Sequence, residues 1–395
     1  MPILSSRVNT LQESPIRKLV NTALAQKGVD FHYLNIGQPD VRTPAPLLDA
    51  VANFQPEVVG YGHAMGEWSC REAAAAYHSR WGPGLTGRDV AVTVGGSEAL
   101  LFAFTAVADR GGEILVPEPF YANYNGFALM AGAKIVPMRT TIDDGFSLPP
   151  DAVLDAAITP NTRAILFSNP CNPTGAVYSK SEIGRLLAWA ARRKLWVISD
   201  EVYRRIWFEN PAPSALEFPE AADRVIVVDS LSKTYSACGA RVGFLISRNQ
   251  ELMVRVERLG QARLGPQPLG QKMAEAALAL PDSYYSELRR TYKARVDVLF
   301  DALKAYPEIN APKPTGAFYT MLKLPVPDAD RFARFLVEDF RVENRSVVLA
   351  PGSGFYASPA SGRDEVRLAA VITQPKLRDA VEIIGEGLRA FLQNS

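Results

Sequence analysis

Between residues 91 and 247 the chain alternates short runs that are apolar throughout with longer stretches whose apolar positions recur every three to four residues. The runs AVTV (91–94), EILVPEP (113–119), KIVPM (134–138), AILFSNP (164–170), LWVISDE (195–201), RVIVVDS (224–230) and GFLIS (243–247) have the length and composition of strands without a solvent face. The stretches GGSEALLFAFTAVA, FYANYNGFALMAGA and SKSEIGRLLAWAARRK (179–194) between them have helical spacing. Strands buried on both faces and separated by amphipathic helices predict an α/β unit with a mostly parallel sheet.

The pattern changes near residue 282. A long charged helical stretch, YYSELRRTYKARVDVLFDALKAY, is followed by the Pro- and Gly-punctuated PEINAPKPTGAFYTMLKLPVPD and then by short mixed elements. This predicts a second, smaller α+β unit. No repeat, low-complexity tract or flexible linker separates the two, so close packing is expected.

Composition narrows the class without naming it. The 395 residues are 47% hydrophobic and 22% charged, ordinary for a globular chain with more than one core, and the net charge of +1 argues against nucleic acid or an anionic membrane as the main partner. Cys70, Cys171 and Cys238 are odd in number and lack C-x-x-C spacing, and His32, His63 and His78 form no metal-ligand pattern, so no metal is expected. The N-terminal MPILSSRVNTLQES has no signal-peptide core, and no stretch approaches the ~20 apolar residues of a membrane span. A soluble cytoplasmic protein with reduced thiols is the expectation.

Chemistry gathers where strands end. In open α/β sheets ligands bind at the carboxyl ends of strands. Here AVTV runs into GGSE, AILF into SNPCNPTG, LWVIS into DEVY and RVIVV into DSLSK. Taken singly these are ordinary: a tight turn at Gly95-Gly96-Ser97, a loop at 169–175, a helix-capping acid at Asp200, a solvated lysine at Lys233 and a surface cation at Arg241. Together they supply an amine, a carboxylate, a phenol, an amide, hydroxyls and a guanidinium from one sheet edge, the parts that hold a phosphorylated aromatic aldehyde.

SLSKTYSACGARVG resembles the pyridoxal-phosphate attachment signature of class I/II aminotransferases. LNIGQPDVRTP (34–44), YGHAMGEWSCREAAAAY (61–77), VTVGGSEAL (92–100), PEPFYANY (117–124), SNPCNPTG, SDEVY, PTGAFY (314–319) and VRLAA (366–370) resemble further blocks of that family, in the family order and over nearly the whole chain. The resemblance implies the fold type I transferase architecture. It predicts a large domain over 46–281 and a small domain joining 1–45 to 282–395.

Position by position, the resemblance implies that Lys233 binds pyridoxal phosphate covalently and moves protons. Asp200 would pair with the pyridine nitrogen, Tyr203 and Asn172 with the ring oxygen, and Tyr121 would stack on the ring. Gly96, Ser97, Ser230 and Arg241 would hold the phosphate, joined by Tyr61 from a neighbouring subunit, which implies a homodimer with shared active sites. Arg367, with Asn172 and the Gly37 backbone, would bind the substrate α-carboxylate.

The expected activity is transfer of an amino group from an L-amino acid to a 2-oxo acid, with aspartate and 2-oxoglutarate the leading pair. Alanine, aromatic or other neutral donors, and a lyase or synthase of the same fold, are the alternatives. A ligand-sensing regulator is disfavoured, because the family blocks begin by about residue 34 of a near-neutral chain. Two positions depart from the commonest family spelling: Tyr356 in PGSGFYASP (351–359), where glycine is frequent, and Cys70 in GEWSCRE, where leucine is usual. Lys272 lies roughly where one branch of the family keeps a cation for a side-chain carboxylate.

Overall fold

The computed structural model describes residues 3–11, 13–358 and 360–393; Met1, Pro2 and Gln12 of the N-terminal segment, Pro359 of the PGSGFYASP block, and Asn394 and Ser395 lie outside the described residues. The strands are β1 (Asp30–Tyr33), β2 (Val90–Thr93), β3 (Glu113–Glu118), β4 (Lys134–Arg139), β5 (Thr162–Ser168), β6 (Trp196–Asp200), β7 (Val225–Ser230), β8 (Gly243–Ile246), β9 (Tyr319–Lys323), β10 (Arg345–Val348), β11 (Ala350–Pro351) and β12 (Glu365–Ala369).

A seven-stranded sheet of order β2-β8-β7-β6-β5-β3-β4 forms the centre. The pairs from β4 through β7 are parallel, whereas β8 runs antiparallel to both β7 and β2. The start of β8 therefore lies at the edge where the parallel strands end, with Ser230 opposite Gly243. Alternate residues of each strand feed different cores: Val197, Val225 and Val227 pack with Trp189 on one face, Ile198, Ile226 and Val228 with Phe104 on the other. Burying each such side chain contributes about 1.5–3 kcal/mol, which is why these strands read as unbroken apolar runs.

The helix Lys180–Arg192 shows how local signals and packing agree. Ser179 and Glu182 form a capping box at its start, and Trp189, fully buried, donates its indole N–H to Asp155 Oδ1 at 2.9 Å. In the last third, β11-β12-β9 form an antiparallel sheet and β1 pairs in parallel with β10. A separate core joins Leu19, Ala23, Phe31 and Leu34 to residues between Val296 and Phe391. The 22-residue helix Asp282–Leu303 begins where the sequence pattern changed.

All three cysteines are free. Among the described residues no His, Cys, Asp and Glu cluster is arranged to hold a metal ion, and no helix is long and apolar enough to cross a membrane.

Candidate active site

The site begins with two glycines that let backbones touch. At the end of β2 the helix Gly95–Val107 starts on Gly95 with φ +74°, and a Cβ there would stand 2.5 Å from Arg241 Nη2. From the other side, a Cβ on Gly243 would lie 2.4 Å from the Gly95 carbonyl carbon and 2.6 Å from the Gly96 nitrogen, backbone atoms that cannot swing away. The glycine closing GARVG thus lets β8 start against the β2–helix junction. That contact delivers Arg241 to the helix N-terminus.

Arg241 Nη1 donates to Cys238 O at 3.1 Å and Nη2 to Val94 O at 3.3 Å. Gly96 and Ser97 in the first helical turn, and Ser230 at the end of β7, line the same cavity. A guanidinium, hydroxyls and the uncommitted N–H groups of a helix start make an anion site.

Lys233 follows β7 in the short helix Leu231–Thr234, its Nζ donating to Gly37 O at 2.8 Å. Asp200 ends β6 and is 4% exposed. Its Oδ2 accepts from Tyr124 Oη at 2.6 Å and its Oδ1 from the Val202 N–H at 3.4 Å. No helix follows it, so capping is not its purpose. Among the described residues no cation forms an ion pair with Asp200, and burial pushes its carboxyl up to about 6, partly opposed by the Tyr124 hydrogen bond.

Arg367 enters from β12. It is 1% exposed, with Nη1 donating to Asn172 Oδ1 at 3.1 Å and Nη2 to Asn35 O. Its guanidinium lies against the rings of Tyr319 and Phe355, 4.5 and 4.8 Å from their centroids. Its Nε is buried without a partner, and burial lowers its proton affinity. Asn172 is placed by the SNPCNPTG loop, which docks on PTGAFY: Gly175 O accepts from the N–H groups of Thr315 and Gly316 at 3.0 and 2.9 Å. Gly37 must lack a side chain, since a Cβ would fall 1.7 Å from Tyr319 Oη.

Tyr203 Oη shares a hydrogen bond of 3.0 Å with Tyr319 Oη, and burial holds the Tyr203 phenol protonated. Tyr121 meets Tyr124 edge to face at 5.5 Å, its phenol pushed up to about 12 chiefly by burial.

These groups line one cavity of about 270 Å³, near the lower end of small-ligand pockets. Every residue that the resemblance assigns to the cofactor or the α-carboxylate is in its lining except Tyr61, which is 89% exposed in the single chain. Lys272 is not in the lining either; it pairs with Glu275 Oε2 at 2.9 Å. Sequence reasoning missed Tyr124, Tyr319, Cys238 and Arg17. Tyr124 and Tyr319 sit inside blocks already quoted, PEPFYANY and PTGAFY, whereas Arg17 lies in a segment with no block around it.

The family model for aminotransferase class I and II matches residues 30–384. An aspartate aminotransferase of Thermotoga maritima is 30% identical over 388 residues, covering 96% of this chain and 98% of the relative. Among solved structures, an aspartate aminotransferase from Thermus thermophilus with maleate superposes with a TM-score of 0.89 at 28% identity, covering 98% of this chain and 100% of that one. An alanine aminotransferase from Pyrococcus furiosus does so with a TM-score of 0.89 at 31% identity, with the same coverage.

Proposed function

The chain belongs to the class I and II aminotransferase family and is a pyridoxal-phosphate-dependent transaminase of fold type I, and from that premise we propose that it uses aspartate as amino donor and 2-oxoglutarate as acceptor. The observation that carries the reading is the convergence in one cavity of an amine, a buried carboxylate and several guanidinium groups. The lining contains one carboxylate, Asp200, against several cationic side chains, which favours substrates with more than one anionic end.

The donor set fits the cofactor. Asp200 recovers its ionised form beside a ring N–H⁺, the Arg241–Ser97–Ser230 cradle at a helix start suits a phosphate dianion, and Lys233 is the amine for the aldehyde. When bound, pyridoxal phosphate supplies the carbonyl that takes the amino group and a ring that accepts the electron pair released at the substrate Cα.

In this reading each protein group has a local task. Arg367, steadied by Asn172 and Asn35, grips the α-carboxylate, and its unpartnered Nε leaves a donor for it. Lys233 would hold the cofactor's aldehyde through Nζ and, as the only lysine of the lining among the described residues, would be the base that takes up the substrate's Cα proton. Tyr203 and Asn172 would hydrogen-bond the ring oxygen and Tyr121 would cover the ring face, while Tyr124 orients Asp200. Burial of Asp200 keeps water from competing for the ring nitrogen.

We read the chain as two domains, 46–281 and 1–45 with 282–395; the shared core of Leu19–Leu34 with the Val296–Phe391 region supports this division. A cytoplasmic homodimer completes the proposal. Tyr61, with Val58 79% and Val59 64% exposed beside it, forms an apolar strip suited to a second subunit.

A panel of aspartate, alanine, leucine and tyrosine with 2-oxoglutarate, read as 2-oxo acid product, tests the substrate. Aspartate should give the highest kcat/KM; a higher value for alanine or tyrosine would overturn the substrate while leaving the reaction class.

A further inference from the structure

We propose that Arg17 is the specificity-determining cation of this site, binding the side-chain carboxylate of a dicarboxylic substrate. The inference rests on the aspartate reading above and assigns its second anion a partner. The cavity lining offers four permanent or potential cations: Arg17, Lys233, Arg241 and Arg367. Three have work within the reaction, Lys233 at the aldehyde, Arg241 at the phosphate and Arg367 at the α-carboxylate. Each is also tied in place, Lys233 to Gly37 O, Arg241 to two backbone carbonyls and Arg367 to Asn172 and Asn35.

Arg17 is the one left over. Among the described residues no carboxylate pairs with its guanidinium and no side-chain hydrogen bond holds it. The one acid in the lining, Asp200, is committed to Tyr124 and buried.

Its backbone, by contrast, is held firmly. The Arg17 N–H donates to Ser14 O at 3.0 Å, and Asn35 Nδ2 donates to Ile16 O at 2.7 Å. Next along the chain, Lys18 Nζ meets Asp330 Oδ1 at 2.6 Å and Leu19 is buried in the core. Pro15 abuts Gly354 so closely that a Cβ on the glycine would lie 2.1 Å from Pro15 Cβ. The main chain is fixed at the cavity while the guanidinium is left without a partner among the described residues, open to an incoming anion.

Asn35 links the two substrate cations. Its side chain fixes Ile16, beside Arg17, while its carbonyl accepts from Arg367 Nη2. One residue thus holds both Arg367 and the main chain that carries Arg17 against the same cavity, where the two cations can meet the two ends of one dicarboxylate. Lys272, the cation suggested by sequence, pairs with Glu275 and lies outside the lining that this chain forms. The Arg17 pair gains strength only as substrate excludes water, so it discriminates by side chain without contributing to the common chemistry.

The test compares kcat/KM for aspartate, glutamate, alanine and leucine in the holoenzyme, Arg17→Gln and Arg17→Lys, with the absorption of bound cofactor recorded for each. Arg17→Gln should lower kcat/KM for aspartate and glutamate about 10- to 100-fold, mainly through KM, and change alanine and leucine by less than about 2-fold. Arg17→Lys, which keeps a charge but not the fork, should fall between; it also serves if the glutamine variant fails to fold. An equal fall for aspartate and alanine with cofactor absorption intact, or no fall for aspartate, would overturn the role of Arg17 and leave the aspartate reading standing. A wild-type enzyme that prefers alanine to aspartate would remove the reading beneath it.

Discussion

Asp200 has given up its hydration for one phenol and one weak backbone bond. A carboxyl so placed gains most from a cation at its free lone pairs, and a pyridine nitrogen kept protonated by it is the better electron sink. Replacing Asp200 with Asn removes that charge and keeps the shape. The expected result is a fall in kcat of about 10²- to 10³-fold with cofactor still bound, read by turnover and by absorption of the purified variant; an unchanged kcat would exclude the role. At this scale the sequence was legible only in company: Lys233 and Asp200 are ordinary one by one and stand out because several strand ends carry such groups together, in blocks that resemble one family. It was silent on Tyr124, because a tyrosine in an aromatic-rich turn has many uses until a partner 76 residues away is seen at 2.6 Å. Arg17 was hidden for a similar reason: nothing local marks an exposed arginine as facing a cavity.

Among elements, the β2–helix junction and the start of β8 are the pair whose fit matters most. Gly243→Ala forces its Cβ into the Gly95–Gly96 backbone, so the phosphate cradle must shift. Cofactor affinity should weaken at least about 10-fold, measured by titrating stripped protein with pyridoxal phosphate; unaltered affinity would mean that the cradle does not hold the phosphate. The apolar runs located the seven central strands closely, AVTV (91–94) against Val90–Thr93 and RVIVVDS (224–230) against Val225–Ser230, because burial on both faces leaves a strong signature. The helix predicted from residue 120 starts at Asn123 instead, and the Phe120 N–H before it bonds Phe355 O at 2.9 Å, tying this turn to the last third of the chain. Strand direction has no such signature, so the reversal of β8 came only with the fold.

For the whole molecule, burial of acids couples cofactor to stability. Burial is the main cause that raises Asp200 from 3.8 to about 6 and Asp229 to about 7, the latter opposed chiefly by Arg204. Since the folded values exceed the unfolded ones, the stability these groups contribute is full below about pH 4 and is lost as pH rises through about 6 and about 7. For Asp200 the loss is up to ~3 kcal/mol. Stripped of cofactor, Asp200→Asn should therefore gain in Tm over wild type as pH rises from about 4 to 7, and saturating cofactor should raise the wild-type Tm most at the upper end. A Tm difference that does not change with pH would contradict this account.

By itself the sequence determined the class of fold, the order of its strands and helices along the chain, and the residues gathered at strand ends, because apolar periodicity and unusual polar placements are local properties written in neighbouring residues. Tertiary structure alone decided the sheet order, the reversed β8, the docking of SNPCNPTG on PTGAFY and the approach of the N-terminal segment to Arg367 through Asn35. These depend on contacts between residues far apart in the chain, whose energies belong to the pair and are carried by neither member alone.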